Sequence, residues 1–244
     1  MPGTAVKQSE QTFIWFGGDM FQPTPQGALW WPSQKTLIVS DLHLEKGSSF
    51  ASRGQLLPPY DTGATLTLVE ELVSAFDAQR VISLGDSFHD RNSEERLCEP
   101  DIFRIRALTD AVEWYWVEGN HDPDPPAHLS GKGVKALRIA DCIFRHEPTG
   151  EYGEIAGHLH PVARISGRGR SVRRKCFVTD GRQMILPSLG TLTGGLNVLD
   201  EAVRSCFAER PSIFVTSARN VYFAETRTLR HETSPQGGNS GWRL

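Results

Sequence analysis

Thr36-Leu37-Ile38-Val39-Ser40-Asp41-Leu42-His43 decides the fold. The stretch begins as a short aliphatic and β-branched run with no proline, which reads as a buried strand over residues 37–40. It then ends in a carboxylate and an imidazole two residues apart. On an extended segment that spacing puts both side chains on the same side. One oxygen donor and one nitrogen donor at the carboxyl end of a buried strand is a common way to begin a metal site. Taken alone, an Asp-x-His is more often a turn Asp beside a surface His, so the metal reading depends on the ends of the later strands.

Downstream, Asp61 is placed to cap a helix over residues 62–77, with Leu66, Val69, Leu72, Val73 and Phe76 on one face. The run Arg80-Val81-Ile82-Ser83-Leu84 is the next buried strand, and this strand–helix–strand spacing predicts a right-handed βαβ unit. It ends in Gly85-Asp86-Ser87-Phe88-His89-Asp90. A second helix is expected over 94–111, with Pro100 near its start or at a break. A third strand, 113–117, leads to Gly119-Asn120-His121-Asp122, and prolines then stop regular structure over 123–126. Strands at 134–139 and 142–145 pair around Ala140-Asp141, the second ending in His146. Residues 153–156 run into Gly157-His158-Leu159-His160. Upstream, 13–16 and 28–31 read as strands joined by a turn-rich 17–27. Residues 46–60 read as a long loop on the face of Asp41 and His43. Beyond the motifs, 172–178 with 183–186 reads as a hairpin, and 213–216 with 221–224 as a closing pair.

The chain has 244 residues, 39% hydrophobic and 23% charged, which suits one globular domain, expected over 11–233 with disordered tails at 1–10 and 234–244. A net charge of −3 excludes a polycation, so any nucleic-acid contact must use a local patch. Cys98, Cys142, Cys176 and Cys206 form no Cys-x-x-Cys pair and are expected as reduced thiols in a cytoplasmic protein. The apolar cluster 13–16 is too short for a signal peptide, and nothing approaches a membrane span.

Five strand ends in succession thus carry Asp-x-His, Gly-Asp, Gly-Asn-His, a lone His and Gly-His-x-His, and ends of neighbouring strands converge at one edge of a sheet. The supply of ligands is Asp41, His43, Asp86, Asn120, His146, His158 and His160. Imidazole mixed with carboxylate and amide oxygen suits Mn²⁺, Fe²⁺ or Zn²⁺ and fits Ca²⁺ or Mg²⁺ poorly. If Asp86 bridges, two ions receive four protein ligands each. Such a pair, about 3.5–4 Å apart, activates water and stabilises both oxygens of an in-line displacement at phosphorus. The glycines before Asp86, Asn120 and His158 supply freedom in φ or lack of bulk.

The set Asp41-x-His43, Gly85-Asp86, Gly119-Asn120-His121-Asp122, His146 and Gly157-His158-x-His160 resembles the calcineurin-like metallophosphoesterases, in the expected order over residues 41–160. The resemblance implies an α/β fold of two mixed β-sheets packed face to face, flanked by helices in a four-layer sandwich. It implies that Asp41, His43, Asp86 and His160 hold one metal, and Asp86, Asn120, His146 and His158 the other. His121 resembles the family's general acid or charge stabiliser at the leaving oxygen, a role suited to a pKa near working pH. Where many phosphomonoesterases of the family have an Asp three residues after the bridging one, this chain has His89, followed by Asp90. That departure is similar to nucleases of the superfamily with Gly-Asp-x-Phe-His and leans toward diesters; which of His89 and Asp90 faces His121 stays open. A narrower resemblance rests on Glu45-Lys46-Gly47, Arg53-Gly54, residues 57–61 and Leu186-Pro187-Ser188-Leu189-Gly190-Thr191-Leu192-Thr193-Gly194-Gly195-Leu196. These look like the ligase-associated DNA damage response endonucleases (PdeM-type). This implies a Mn²⁺-dependent phosphodiesterase acting on nucleic acid such as single-stranded DNA, alongside DNA-repair proteins, by attack of metal-activated hydroxide.

Other residues carry weaker expectations. Arg53 is placed to clamp a phosphate, with an ordinary surface Arg as the alternative. Arg164, Arg168, Arg170, Arg173, Arg174 and Lys175 read as a phosphate-tracking strip, Arg173 and Arg174 foremost, or as a solvated hairpin. His128 and His231 read as surface residues, and Trp30-Trp31 and 114–116 as core or interface rather than base-stacking platforms. Residues 191–195 either present N–H groups to the site or form a tight structural loop. A homodimer through an exposed strand or aromatic patch is a further expectation. The alternative functions are a small-molecule or cyclic-nucleotide phosphodiesterase or phosphatase and, outside enzymes, a metal-bound scaffold in a repair complex.

Overall fold

Strand β1 (Ile14–Phe16) turns at Gly17-Gly18 into β2 (Asp19–Pro23), which continues antiparallel through β3 (Leu29–Trp31) to β4 (Thr36–Val39). From β4 the sheet turns parallel through β5 (Arg80–Ser83), β6 (Glu113–Val117) and β7 (Lys132–Val134), giving seven strands in sequence order. The second sheet contains β8 (Leu137–Ile139), β9 (Cys142–Phe144), β10 (Glu154–Ala156), β11 (Val162–Gly167), β12 (Arg170–Thr179), β13 (Gln183–Ile185), β14 (Ser212–Thr216), β15 (Val221–Phe223) and β16 (Leu229–Arg230). In it β9, β10 and β13 run parallel, with antiparallel neighbours outside them. This structure, a computed structural model, describes residues 11–55, 57, 60–122, 129–167 and 170–232. The expectations for 1–10, 234–244, 123–126, His128 and Arg168 lie outside the described residues.

Three apolar layers arise from strand alternation. Ile38 and Ile82 point between the sheets with Phe21 and Trp31, where they meet Phe144, Ile155, Phe177 and Met184 of the second sheet. Leu37, Val39 and Val81 point the other way, onto α2 (Asp61–Phe76) and α4 (Glu99–Ala111) through Leu66, Val69, Ile105 and Leu108. The far face of the second sheet buries Cys176, Val178 and Ile185 against Val203 of α5 (Glu201–Arg204). The result is the four-layer sandwich of two mixed sheets implied by the family resemblance. Trp30, Trp31, Trp114 and Trp116 are buried in these cores. No two cysteines are bonded among the described residues, and no helix of theirs is long and apolar enough to cross a membrane.

Several local expectations are corrected. Residues 17–27 contain the strand β2, whose buried Phe21 stands between the less buried Met20 and Gln22. Residues 46–60, read as loop, begin with the helix α1 (Lys46–Ser52). Its Gly and Ser residues are poor helix formers, and a tertiary bond holds it: the Asp61 carboxylate accepts the Gly47 N–H at 2.8 Å. Asp61 therefore does not cap α2, whose N-cap residue is Tyr60. The helix expected over 94–111 is two, α3 (Ser93–Arg96) and α4, broken at Leu97-Cys98 with Pro100 in the first turn of the second. The strand expected over 134–139 is also two, in different sheets, because β7 pairs with β6 and β8 with β9. Strand β11 forms a hairpin with β12, and β12 pairs antiparallel with β13 as expected for 172–178 with 183–186.

Candidate metal centre

The site sits past the carboxyl ends of β4, β5 and β6 from one sheet and β9 and β10 from the other. Two sheets converge there, not one sheet edge. Asp41 and His43 are not on an extended segment either. Both have positive φ (52° and 44°), as do Asp86 (46°), His158 (69°) and His160 (45°). Non-glycine residues in this region cost on the order of 1 kcal/mol or more each and persist where surrounding structure over-determines them. Here the strand pairing continues into the turns: Asp41 and His43 donate their N–H groups to the Gly85 and Asp86 carbonyls at 3.3 and 2.9 Å. The His158 N–H reaches the Asp41 carboxylate at 3.1 Å. Of the three motif glycines only Gly85 has positive φ, at 77°. Gly157 supplies space, since a Cβ there would collide with Ser40 Oγ and stand 2.6 Å from Asp41 Oδ2.

Two groups of donors result, Asp41–His43–His160 and Asp86–His146–His158. In the first, His160 Nε2 lies 3.0 Å from Asp41 Oδ1 and 3.3 Å from His43 Nε2. In the second, His146 Nε2 lies 3.4 Å from Asp86 Oδ1, 3.1 Å from His158 Nδ1 and 2.9 Å from Asn120 Oδ1. Asp86 stands between them: Oδ1 faces His146, and Oδ2 lies 3.8 Å from His43 Nε2. All seven sequence-nominated ligands are thus brought together. They fit divalent ions, because buried ring nitrogens and carboxylate oxygens face one another with more lone pairs than protons to share, and a cation satisfies them together.

Electrostatics differ within the site. Burial pushes the His43 imidazole down to about 3, against the pull of Asp41 and Asp86. Burial also opposes the charged form of His146, but the Asp86 hydrogen bond, the Asp41 and Asp86 charges and the Leu84 carbonyl win and raise it to about 9. His146 Nδ1–H donates to that carbonyl at 2.8 Å, leaving Nε2 for the site. For Asp86 burial is outweighed by His146, the His121 N–H and His43, which bring it to about 2. Asp41, fully buried, also lies below its ordinary value despite burial, through His160, His146 and the Ser40 hydroxyl.

His121 sits at the mouth, its side chain 41% exposed and Nε2 3.9 Å from Asp86 Oδ2. Its Nδ1–H donates to the His89 carbonyl at 2.8 Å, and the two rings stack 5.5 Å apart. Asp90 turns elsewhere: both its oxygens accept Arg96 Nη2 at 2.8 Å. Of the two residues left open by the sequence, His89 therefore faces His121. Burial, then Lys46 and His121, pushes the His89 imidazole down to about 4.

The cleft over these groups has a volume of about 450 Å³, and its lining also includes Lys46, Gly194, Gly195 and Leu196. Sequence reasoning gave Lys46 no role because it stood in an apparent loop; its place three residues after His43 was the available signal. Arg53 closes α1, exposed, and its charge is felt at His89. Arg173 bonds Gly195 O at 2.6 Å, whereas Arg174 reaches only the Arg173 carbonyl. A larger hollow of about 530 Å³ beside α5, floored by Val198, Phe207, Ile213 and Leu229, has no histidine in its lining.

Histidines and carboxylates gathered at one end of a sandwich of two mixed sheets define an α/β metallohydrolase. The profile of the calcineurin-like phosphoesterases matches residues 34–225, and the chain belongs to that family. It is a metal-dependent phosphoester hydrolase. No curated protein matches it. Among solved structures it is similar to the nuclease MPE of Pseudomonas putida, with 25% identity and a TM-score of 0.68 over 88% of this chain and all of that one. A weaker likeness is to Yfce, a phosphoesterase from E. coli, with 15% identity and a TM-score of 0.35 over 75% of this chain and 88% of that one.

Proposed function

We propose that this protein is a two-metal phosphodiesterase acting on nucleic acid, with single-stranded DNA as substrate and DNA repair as its setting. The observation that carries the reading is Asp86, whose two oxygens face the two ligand groups while half-exposed His121 stands beside it at the cleft mouth. The likeness to a nuclease over most of the chain supports the substrate class. Asp41, His43, Asp86 and His160 would hold one ion, and Asp86, Asn120, His146 and His158 the other. Their mixed imidazole and oxygen donors suit Mn²⁺, with Fe²⁺ or Zn²⁺ as competitors. When bound, such ions supply an activated water and neutralise charge at phosphorus.

The chain's own groups do the rest. The His89 carbonyl holds the His121 Nδ1–H, so that the imidazolium form would present Nε2–H to the leaving oxygen, give up that proton there and be left as the neutral Nδ1–H tautomer. The His89 ring, kept neutral by burial, braces it by stacking. Asp90, clamped by Arg96, anchors the turn that carries His89. Lys46 lines the cleft and Arg53 is close enough for its charge to act on His89, so both would be available to a phosphate oxygen. The unpaired cysteines suit a reducing, cytoplasmic setting.

The test is turnover by the Mn²⁺-loaded chain of single-stranded DNA, a cyclic nucleotide and a phosphomonoester, with Asp86→Asn as the blank. DNA cleavage above the blank is expected. Cleavage of the monoester alone would overturn the diester reading, and cleavage of the cyclic nucleotide alone would overturn the nucleic-acid one.

A further inference from the structure

The basic run after His160 is split by its own strands. Arg164 of β11 lies directly opposite Arg173 of β12 on one side and Arg230 of β16 on the other. Directly opposed residues share a face, so the three arginine side chains leave the same surface, the Arg230 guanidinium turning back to donate to the Arg227 and Leu229 carbonyls. That surface continues the inter-sheet face of β12: Phe177 is in the core between the sheets, and Lys175, two residues nearer, donates to the Leu189 and Gly190 carbonyls. Arg173, two further, bonds the Gly195 carbonyl in the cleft wall. Gly195 in turn packs so closely on the His160 carbonyl that it has no room for a Cβ. Arg174 alternates onto the opposite face, with Ala163 and Cys176.

Like charges directly across a sheet destabilise it. Glu232, at 3.0 Å from Arg173 and 3.5 Å from Arg164, is the carboxylate paired with this trio among the described residues, so positive charge remains in excess. Lys46 lines the same cleft. A strand of nucleic acid crossing the metal centre from the Lys46 side would leave over the trio.

We infer that Arg164, Arg173 and Arg230 form an anion subsite for a phosphate of the polynucleotide other than the one cleaved. The inference rests on the nucleic-acid reading above. It assigns length dependence to this trio and none to Arg174.

The test has two readouts on the full chain. The first is kcat/KM of the Mn²⁺-loaded protein for a long single-stranded oligonucleotide and for a small aryl diester, across a salt series. The double variant Arg164→Gln/Arg173→Gln should lower the oligonucleotide-to-diester ratio about tenfold, and the salt slope should shrink by roughly 0.7 per charge removed. Arg174→Gln should leave the ratio unchanged. The second is fluorescence anisotropy of the same oligonucleotide, made resistant to cleavage by chelator, which reads binding without turnover. Weaker binding by the double variant supports the subsite even if the wild type cleaves only the small diester, an outcome that would count against the nucleic-acid reading alone. An equal fall on both substrates, unchanged oligonucleotide binding, or an Arg174→Gln effect as large as the double variant's would overturn the subsite. A shifted melting temperature with neither kinetics nor binding altered would make the trio structural only.

Discussion

The two ligand groups are built from the same residue types and behave oppositely toward protons. In Asp86–His146–His158 the His146 ring is fixed from behind by the Leu84 carbonyl and flanked by two carboxylates, which raise it to about 9. In Asp41–His43–His160 the His43 ring has no partner for Nδ1, and burial lowers it to about 3. The comparison teaches that position relative to the carboxylates, more than ligand identity, sets how a metal site competes with protons. One group holds a proton on His146 where a cation would go; in the other, the His43 ring is already neutral.

The largest effect should come from the residue that both groups share. Asp86→Asn should lower turnover on the order of 10³-fold or more, as when electrostatic stabilisation of the displacement is lost. Far-UV circular dichroism should be unchanged. A variant that kept a tenth of wild-type rate would break the idea that the two groups work as one centre. Next is His121, which belongs to neither group. His121→Ala should lose roughly 10²–10⁴ in kcat, the usual worth of a general acid, while binding as much metal as the wild type. The loss should shrink on an aryl ester whose leaving group needs no proton, and an equal loss on both esters would refute the acid role.

The pH dependence of metal loading sharpens the contrast itself. In metal-stripped protein His146 carries a proton below about 9, and that proton must leave before an ion binds. Affinity at this group should therefore rise with pH, up to about tenfold per unit, and level off above about 9. His43, already neutral above about 3, adds no such dependence to the other group. Manganese titrations across neutral and mildly alkaline pH should resolve one pH-dependent and one flatter class of site; two classes with the same slope would contradict it.

The smallest effect on turnover is expected at Lys175, behind Asp41. Burial lowers its amine to about 8, against the pull of the Asp41 charge. Between about 8 and the ordinary 10.5 the unfolded chain binds the extra proton, so wild-type stability should rise with pH through that window, on the order of 3 kcal/mol in all. Lys175→Met should lack the rise, as followed by urea unfolding at several pH values. A parallel pH profile in the variant would show that the amine is not held in its disfavoured state.

The β4–α2–β5 unit and the order of motif-bearing strand ends were legible because buried parallel strands are continuous apolar runs that stop where the motifs begin. The seven candidate donors that meet at the site stood out for the same reason. Helix α1 was not, since its glycine and serines are ordered by Asp61 from another helix and carry no periodic signal. The convergence of two sheets was hidden because β7 and β8 are neighbours in sequence that pair in different sheets. Arg173 and Arg174 looked like one strip because alternation divides a basic run only once the strand register is known. Likewise, the choice between His89 and Asp90 depended on Arg96, whose claim on Asp90 has no sequence signature.

The most direct test of the dinuclear account is metal content together with electron paramagnetic resonance of the Mn²⁺-loaded chain. Two ions per chain with an exchange-coupled spectrum, uncoupled in Asp86→Asn, is the predicted result. A single ion per chain, or two ions with the isolated-Mn²⁺ signal in the wild type, would contradict a centre bridged by Asp86.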